Sequence, residues 1–277
     1  MDHEQAEWSR FCRAIESVKD GLILFCTGAG ISKASGIPTF RGSDIEAVWN
    51  RSPMELGTYA FFEETPVGHW EWFLGRFDSY FDRQPNPAHY AVTALERWQQ
   101  ARGGRMMVIT QNIDLLHDRA GTKELIHIHG DMGHARCTRY GCENGAPKGK
   151  IRFDSLDFSA FRAEPRLEHI PRCSACGSLV RIHALLFDEY YTSHRDYRMR
   201  DAMNATQEAR VMVFVGTSFS VGVTAAMLES AHLRQVPAFS LNPEVETGDW
   251  EGVGVMNLQV NAEEALPRLC EAVGAPM

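Results

Sequence analysis

Two periodicities alternate along this chain of 277 residues. Trp8, Phe11, Ile15 and Val18 recur at helical spacing and predict an amphipathic helix over 5–19, closed by Gly21. Leu22-Ile23-Leu24-Phe25-Cys26 is apolar throughout, as a strand covered on both faces is. The same pattern returns at 106–110, 211–215 and 237–241, with a last short strand over 255–260. Helical spacing over 88–100, 225–233 and 262–273 predicts helices between and after these strands. The alternation places the chain in the α/β class with a parallel sheet.

Two stretches break the alternation. Residues 44–100 are crowded with aromatics, and Trp70, Phe73, Phe77 and Tyr80 fall at helical spacing, which predicts short packed helices with a mostly aromatic core. Residues 131–190 hold many short loops, no long apolar run, and two close cysteine pairs.

Polar residues gather just beyond the predicted strand ends: Gly28, Ala29, Gly30 and Ser32; Gln111, Asn112 and Asp114; Gly216, Thr217 and Ser218; and Asn242. Ligands of open parallel sheets bind at that edge. A glycine pair after a buried strand lets backbone N–H groups approach a phosphate, with a helix N-terminus nearby. Lys33 stands where the full dinucleotide fingerprint has its third glycine, so Gly-Ala-Gly alone is also compatible with a plain tight turn. The segment Ser35 to Gly42 carries Ile37, Phe40 and Arg41 between glycines and a proline, which reads as a lid.

Cys137-x4-Cys142 and Cys173-x2-Cys176 supply four soft thiolates on tight turns, with Gly141 and Gly177 helping the backbone curl. Tetrahedral zinc suits that donor set, and four thiolates leave no open position, so the metal would be structural. His134 and His183 are possible substitute ligands. Cys12, Cys26 and Cys270 read as core residues. His127 and His129 alternate on one predicted strand and are expected to share a face. His129 abuts Gly130 and is the better candidate for a general base, since a neutral imidazole accepts a proton near cellular pH.

Composition removes several classes. The net charge of −8 and pI near 5.8 give no footprint for nucleic acid or an anionic membrane surface. No apolar run approaches the roughly 20 residues that span a bilayer. The N-terminus lacks the pattern of a secretion signal, so the cytoplasm is the expected location.

Taken together these residues resemble the sirtuin family of NAD-dependent protein deacylases. The resemblance spans about residues 20 to 270. It rests on Gly28-Ala29-Gly30-Ile31-Ser32 running to Gly36-Ile37-Pro38-Thr39-Phe40-Arg41, on Thr110-Gln111-Asn112-Ile113-Asp114, on His129-Gly130, on the cysteine pairs, on Gly216-Thr217-Ser218 and on Asn242. It implies a Rossmann-like NAD-binding domain from residues 1–41, 88–130 and 191–277. The helical insertion 42–87 and the zinc-binding module 131–190 would form a smaller domain. NAD and an acylated lysine of a protein substrate would meet between the two.

By that resemblance Ala29, Thr217, Ser218 and Asn242 contact the phosphates and adenosine side. Asn112 and Asp114 hold the nicotinamide amide, and Gln111 the adjoining ribose. Phe40 shields the reactive sugar carbon, Arg41 orders the lid, and His129 is the general base. Phe73, Arg76, Leu186 and Phe187 would face the substrate. The implied reaction releases nicotinamide, captures the sugar with the acyl oxygen, and yields lysine and O-acyl-ADP-ribose.

The sequence departs from the family pattern on the peptide side. Leu115 replaces a glycine. Arg181-Ile182-His183-Ala184-Leu185-Leu186-Phe187-Asp188-Glu189 lacks the usual proline after its arginine and has Asp188 in place of a glycine. A common proline is replaced near Val223. Phe73-Leu74-Gly75-Arg76 keeps the arginine of the Tyr-x-x-Arg pair used for acidic acyl groups and lacks its hydroxyl. These departures raise an alternative, an NAD glycohydrolase or ADP-ribosyltransferase. A non-catalytic NAD-binding or zinc interaction module is a third reading, and a zinc-ribbon DNA binder the weakest.

Overall fold

The computed structural model describes residues 3–39, 53–219, 222–244 and 254–277, so Phe40 and Arg41 lie outside the described residues. Among the described residues the strands are β1 (Leu22–Thr27), β2 (Arg105–Thr110), β3 (Leu125–His127), β4 (Gly130–Cys137), β5 (Ile151–Arg152), β6 (Val180–Ala184), β7 (Ala209–Val215), β8 (Ala238–Leu241) and β9 (Val255–Leu258). The α-helices are α1 (His3–Ser17), α2 (Pro53–Leu56), α3 (Tyr59–Glu64), α4 (Pro66–Phe77), α5 (Pro87–Ala101), α6 (Leu116–Ala120), α7 (Ser159–Ala163), α8 (Met199–Glu208), α9 (Gly222–Arg234) and α10 (Ala262–Val273). Among the described residues no helix is long and apolar enough to cross a membrane.

Six strands form one parallel sheet in the order β3-β2-β1-β7-β8-β9. All six residues of β1 are buried, because both faces of the sheet are covered. Ile23 and Phe25 point to a core shared with α1, α5 and α10, while Leu22, Leu24 and Cys26 point to a second core with α8 and α9. That is the doubly wound arrangement, and each large side chain it buries contributes about 1.5–3 kcal/mol. The order turns back between β1 and β7, so a crevice opens beyond their C-terminal ends.

A second, antiparallel sheet runs β5-β4-β6. The many short loops of residues 131–190 connect these strands, which the sequence pattern does not mark. Their side chains do not alternate cleanly: β4 contains Gly133, His134 and Arg136, and β5 has only two residues. One aromatic core joins this sheet to the helical insertion. Trp70, Phe73 and Phe77 of α4 pack with Phe153, Phe158 and Phe161, and the buried Trp70 indole N–H donates to the Val180 carbonyl at 3.1 Å.

Candidate active site

Gly28 and Gly216 sit at the ends of β1 and β7, where the two loops touch. The Gly28 N–H donates to the Val215 carbonyl at 3.0 Å and the Gly30 N–H to the Gly216 carbonyl at 2.9 Å. A Cβ on Gly30 would lie 2.5 Å from the Gly216 Cα, and Gly216 holds a left-handed φ of 57°. The glycines therefore serve a close loop-to-loop contact. This corrects the expectation that the N–H groups of Gly28 and Gly30 face a ligand, since both are bonded inside the protein. The segment after them, Ala29–Ser35, is a short 3-10 helix rather than an α-helix.

A cavity of about 530 Å³ starts at this loop contact and reaches the small aromatic core. At one end Gly28, Ala29, Gly30, Gly216, Thr217, Ser218 and Asn242 line it. Gln111, Asn112 and His129 form its middle, and Trp72, Phe73, Phe77, Leu186 and Phe187 its other end. The polar strand ends singled out in the sequence thus meet in one place.

Ser32 and Asp114 stand behind that wall rather than on it. The Ser32 hydroxyl donates to Asp114 at 2.9 Å, and the Leu116 N–H donates to the other carboxylate oxygen at 3.0 Å. Burial raises the Asp114 carboxyl above the usual carboxylate value, although both hydrogen bonds oppose the shift. The Asn112 amide donates to the Gly28 carbonyl and to Ser32, both at 3.1 Å, and so ties the β2 loop to the glycine loop. The Gln111 amide donates to Thr217 at 3.0 Å, and the Asn242 amide to the Thr217 carbonyl at 3.4 Å.

His129 lies two residues past the end of β3. Its Nδ1 is 2.8 Å from the Gln111 carbonyl, which only accepts, so Nδ1 carries the proton and Nε2 keeps a lone pair. Burial lowers the imidazole to about 4, the Gln111 carbonyl acting weakly against this, and the ring is neutral at cellular pH. His127 does not share these surroundings. Its Nε2 is 2.9 Å from Asp118 on α6; the chain turns at 128–129, Gly130 just beyond takes φ 75°, and the Leu185 N–H bonds the His129 carbonyl at 2.8 Å. The expected shared face fails because the strand stops at His127.

Tyr191 escaped the sequence reading. Its hydroxyl is 3.2 Å from His129 Nε2, and its ring stacks on the imidazole at a centroid distance of 5.8 Å. No motif marks it; it stands in an otherwise unremarked run, Glu189-Tyr190-Tyr191, and its direction depends on the path of the whole linker. Arg76, by contrast, is not among the residues lining the cavity.

The four cysteines converge as the spacing predicts. Their sulfurs lie within 4.8 Å of one another, with Cys137 and Cys176 at 3.4 Å and Cys142 and Cys173 at 3.7 Å. Disulfide sulfurs sit at ~2.05 Å, whereas a tetrahedral zinc with bonds of ~2.3 Å holds its sulfurs just under 4 Å apart. Gly141 and Gly177 adopt left-handed φ values of 80° and 72°, which let the turns close. The donor set fits zinc. His134 and His183 take no part: the first bonds Asp131 at 2.6 Å, and the second lies beside His194 and Asp196.

Each departure on the peptide side has a structural partner. Leu115 fills the space over Gly133, where a Cβ would lie 2.9 Å from its Cδ1. Val223 is buried in the core under α9. Asp188 accepts two N–H groups at the start of α3. Glu189 bonds Arg136 at 2.7 Å, the fully buried Arg181, and the Leu186 N–H at 3.0 Å.

The doubly wound sheet with a cavity at its reversal defines a nucleotide-binding α/β protein. Residues 28–223 match the model of the Sir2 family, and the chain belongs to that family. It is 37% identical over 225 residues to NAD-dependent protein deacylase 1 of Archaeoglobus fulgidus, covering 80% of this chain and 81% of that one. It is 35% identical to an NAD-dependent protein deacylase of Mycolicibacterium paratuberculosis, covering 91% of this chain and 98% of the relative. A solved Sir2 homologue in complex with ADP-ribose superposes with a TM-score of 0.79 at 31% identity, over 99% of this chain and 97% of its own.

Proposed function

We infer that this chain is an NAD-dependent protein-lysine deacylase that transfers the acyl group of a lysine to ADP-ribose and releases nicotinamide. The observation that carries the reading is the neutral His129, protonated at Nδ1 and lining the same cavity as the glycine loops and the aromatic residues Trp72, Phe73 and Phe77. The names of its relatives, NAD-dependent protein deacylases, support the same activity.

NAD, when bound, supplies a sugar carbon made electrophilic by departure of nicotinamide. Ala29, Thr217, Ser218 and Asn242 would hold its adenosine and phosphate side. Gln111 and Asn112 would hold the nicotinamide ribose and amide, with Ser32 and Asp114 fixing Asn112 from behind. His129 would take the proton of a ribose hydroxyl at Nε2, the step a general base makes. Phe40 would shield the reactive sugar carbon from water, and Arg41 would help order the lid, as the family pattern gives them. Trp72, Phe73 and Phe77 add an apolar lining to the same cavity.

The acylated lysine of a protein substrate would enter beside Leu186 and Phe187. Zinc would sit among Cys137, Cys142, Cys173 and Cys176 and hold the small module together. The proposed large domain comprises 1–41, 88–130 and 191–277, and the small one 42–87 with 131–190. Thiols packed as metal donors suit a reducing compartment, and the cytoplasm is the proposed location.

A second reading, NAD glycohydrolase or ADP-ribosyltransferase, draws on one observation. The N–H groups of Leu185, Leu186 and Phe187 are all bonded within the protein, to His129, Glu189 and Gly57, and so are withdrawn from pairing with a peptide. Nicotinamide release measured with and without an acetylated peptide separates the two. Deacylation requires release to depend on the peptide; release that ignores it establishes the second reading.

A further inference from the structure

The Nε2 lone pair that a ribose hydroxyl would need accepts from the Tyr191 hydroxyl. Because Gln111 offers His129 only a carbonyl, the imidazole proton is on Nδ1, and the hydrogen between Tyr191 and Nε2 must come from the phenol. Burial raises the Tyr191 hydroxyl to about 12, so it remains a donor at any cellular pH. The rings stack with an interplanar angle of 28°, so the tyrosine limits both the tilt and the tautomer of the imidazole. Tyr191 and His129 line the same cavity, and Tyr191 is part of neither sheet.

We propose that Tyr191 is a positioning residue for His129, holding the Nε2 lone pair aimed into the cavity until a substrate hydroxyl replaces the phenol. The proposal rests on the reading of His129 as the base. It assigns a role to a residue outside the motifs that mark the site, on the linker that leaves the small module.

Other titratable groups near the pair are accounted for. Cys26 at the end of β1 lies below Tyr191, with its thiol pushed up to about 12 by burial, and is uncharged. Glu189 lines the cavity, but its carboxylate is held by Arg136 and Arg181. His127 faces Asp118, and Asp114 faces Ser32 and the Leu116 N–H. The Tyr191 hydroxyl is thus the group whose removal changes the surroundings of Nε2 most directly.

A hydrogen bond donated to the neutral form of a base stabilises that form and depresses the pKa. Tyr191→Phe keeps the stacked ring and removes only the donor. The limb of the kcat/KM profile at low pH should therefore move to higher pH by about half to one unit, as loss of one ordinary hydrogen bond implies. A merely packing tyrosine would leave that limb in place. The experiment compares full pH profiles of wild type, Tyr191→Phe and His129→Ala with NAD and an acetylated peptide. A shift to higher pH in Tyr191→Phe supports the proposal. An unmoved limb, or one moved to lower pH, with His129→Ala inactive overturns the proposal and spares the base. Undiminished product formation by His129→Ala overturns both.

Discussion

Asp188 accepts hydrogen bonds from the Tyr59 N–H at 2.6 Å and the Ala60 N–H at 3.0 Å, binding the loop after β6 to the first turn of α3. The residue that departs most visibly from the family pattern is therefore a helix anchor. A carboxylate there satisfies two N–H groups that a helix start leaves free and complements the helix dipole. Asp188→Gly should cost about 1 kcal/mol and lower Tm by roughly 2–4 °C. The KM for the acylated peptide should rise while that for NAD holds. Thermal denaturation and paired kinetics check this, and an unchanged Tm would show that the contact does not stabilise the loop.

Trp72, Phe73 and Phe77 line the cavity, and Arg76 does not; the proposed function puts the acyl group against these aromatic rings. Among the described residues, Trp72, Phe73 and Phe77 offer a carboxylate no cation, and burying it there would cost more than about 1 kcal/mol. Acetyl-lysine peptide should be turned over at least ~10-fold faster than succinyl-lysine peptide. Arg76→Ala should leave both rates within about twofold, since the half-buried Arg76 is not among the residues lining the cavity. Faster turnover of succinyl-lysine that collapses in Arg76→Ala would contradict this.

The thiol cluster predicts about one zinc per chain by elemental analysis, because four thiolates make one closed tetrahedral shell. Cys176→Ser should lose the metal and unfold at lower temperature, and a strong chelator should do the same to the wild type. Cys12→Ser, remote from the cluster, should retain the metal. A full zinc content in Cys176→Ser would place the ion elsewhere.

Several buried histidines link stability to pH. Burial lowers His69 and His89 to about 4, His183 to about 2, and His117 well below the ordinary 6.5. Between pH 6.5 and about 4 the unfolded chain binds protons that the native chain refuses, so stability falls as pH falls through that window. His129 and His194, also lowered by burial, act in the same sense. Asp114 and Glu189, raised by burial, and His127, which burial lowers but its Asp118 partner raises on balance, act in the opposite sense but are fewer. Tm should decline steadily from pH 7 to pH 4.5. A flat or rising Tm would mean these rings reach solvent.

The parallel sheet was legible because β1, β2 and β7 are apolar nearly throughout and their covering helices keep a 3.6-residue period. The cysteine module was legible as chemistry and illegible as structure. Four thiols at short spacing announce a metal, while β4 to β6 are too short and polar to show a period of two. The site divides in the same way. Gln111, Asn112 and Thr217 are found by their place after strands. Gly28 and Gly30 were found for a partly wrong reason, since their N–H groups bond to the neighbouring loop. Tyr191 was missed because its contact with His129 depends on how a linker crosses from one sheet to the other, and no local pattern records that path.

The most direct test of the central claim is a mass-spectrometric product analysis of wild type and His129→Ala, each with NAD and an acetyl-lysine peptide. The account predicts O-acetyl-ADP-ribose and free lysine peptide from the wild type, and a loss of about 100-fold or more in the variant, the scale of a missing general base. Equal product from both proteins, or ADP-ribose and nicotinamide formed without deacetylated peptide, would contradict it.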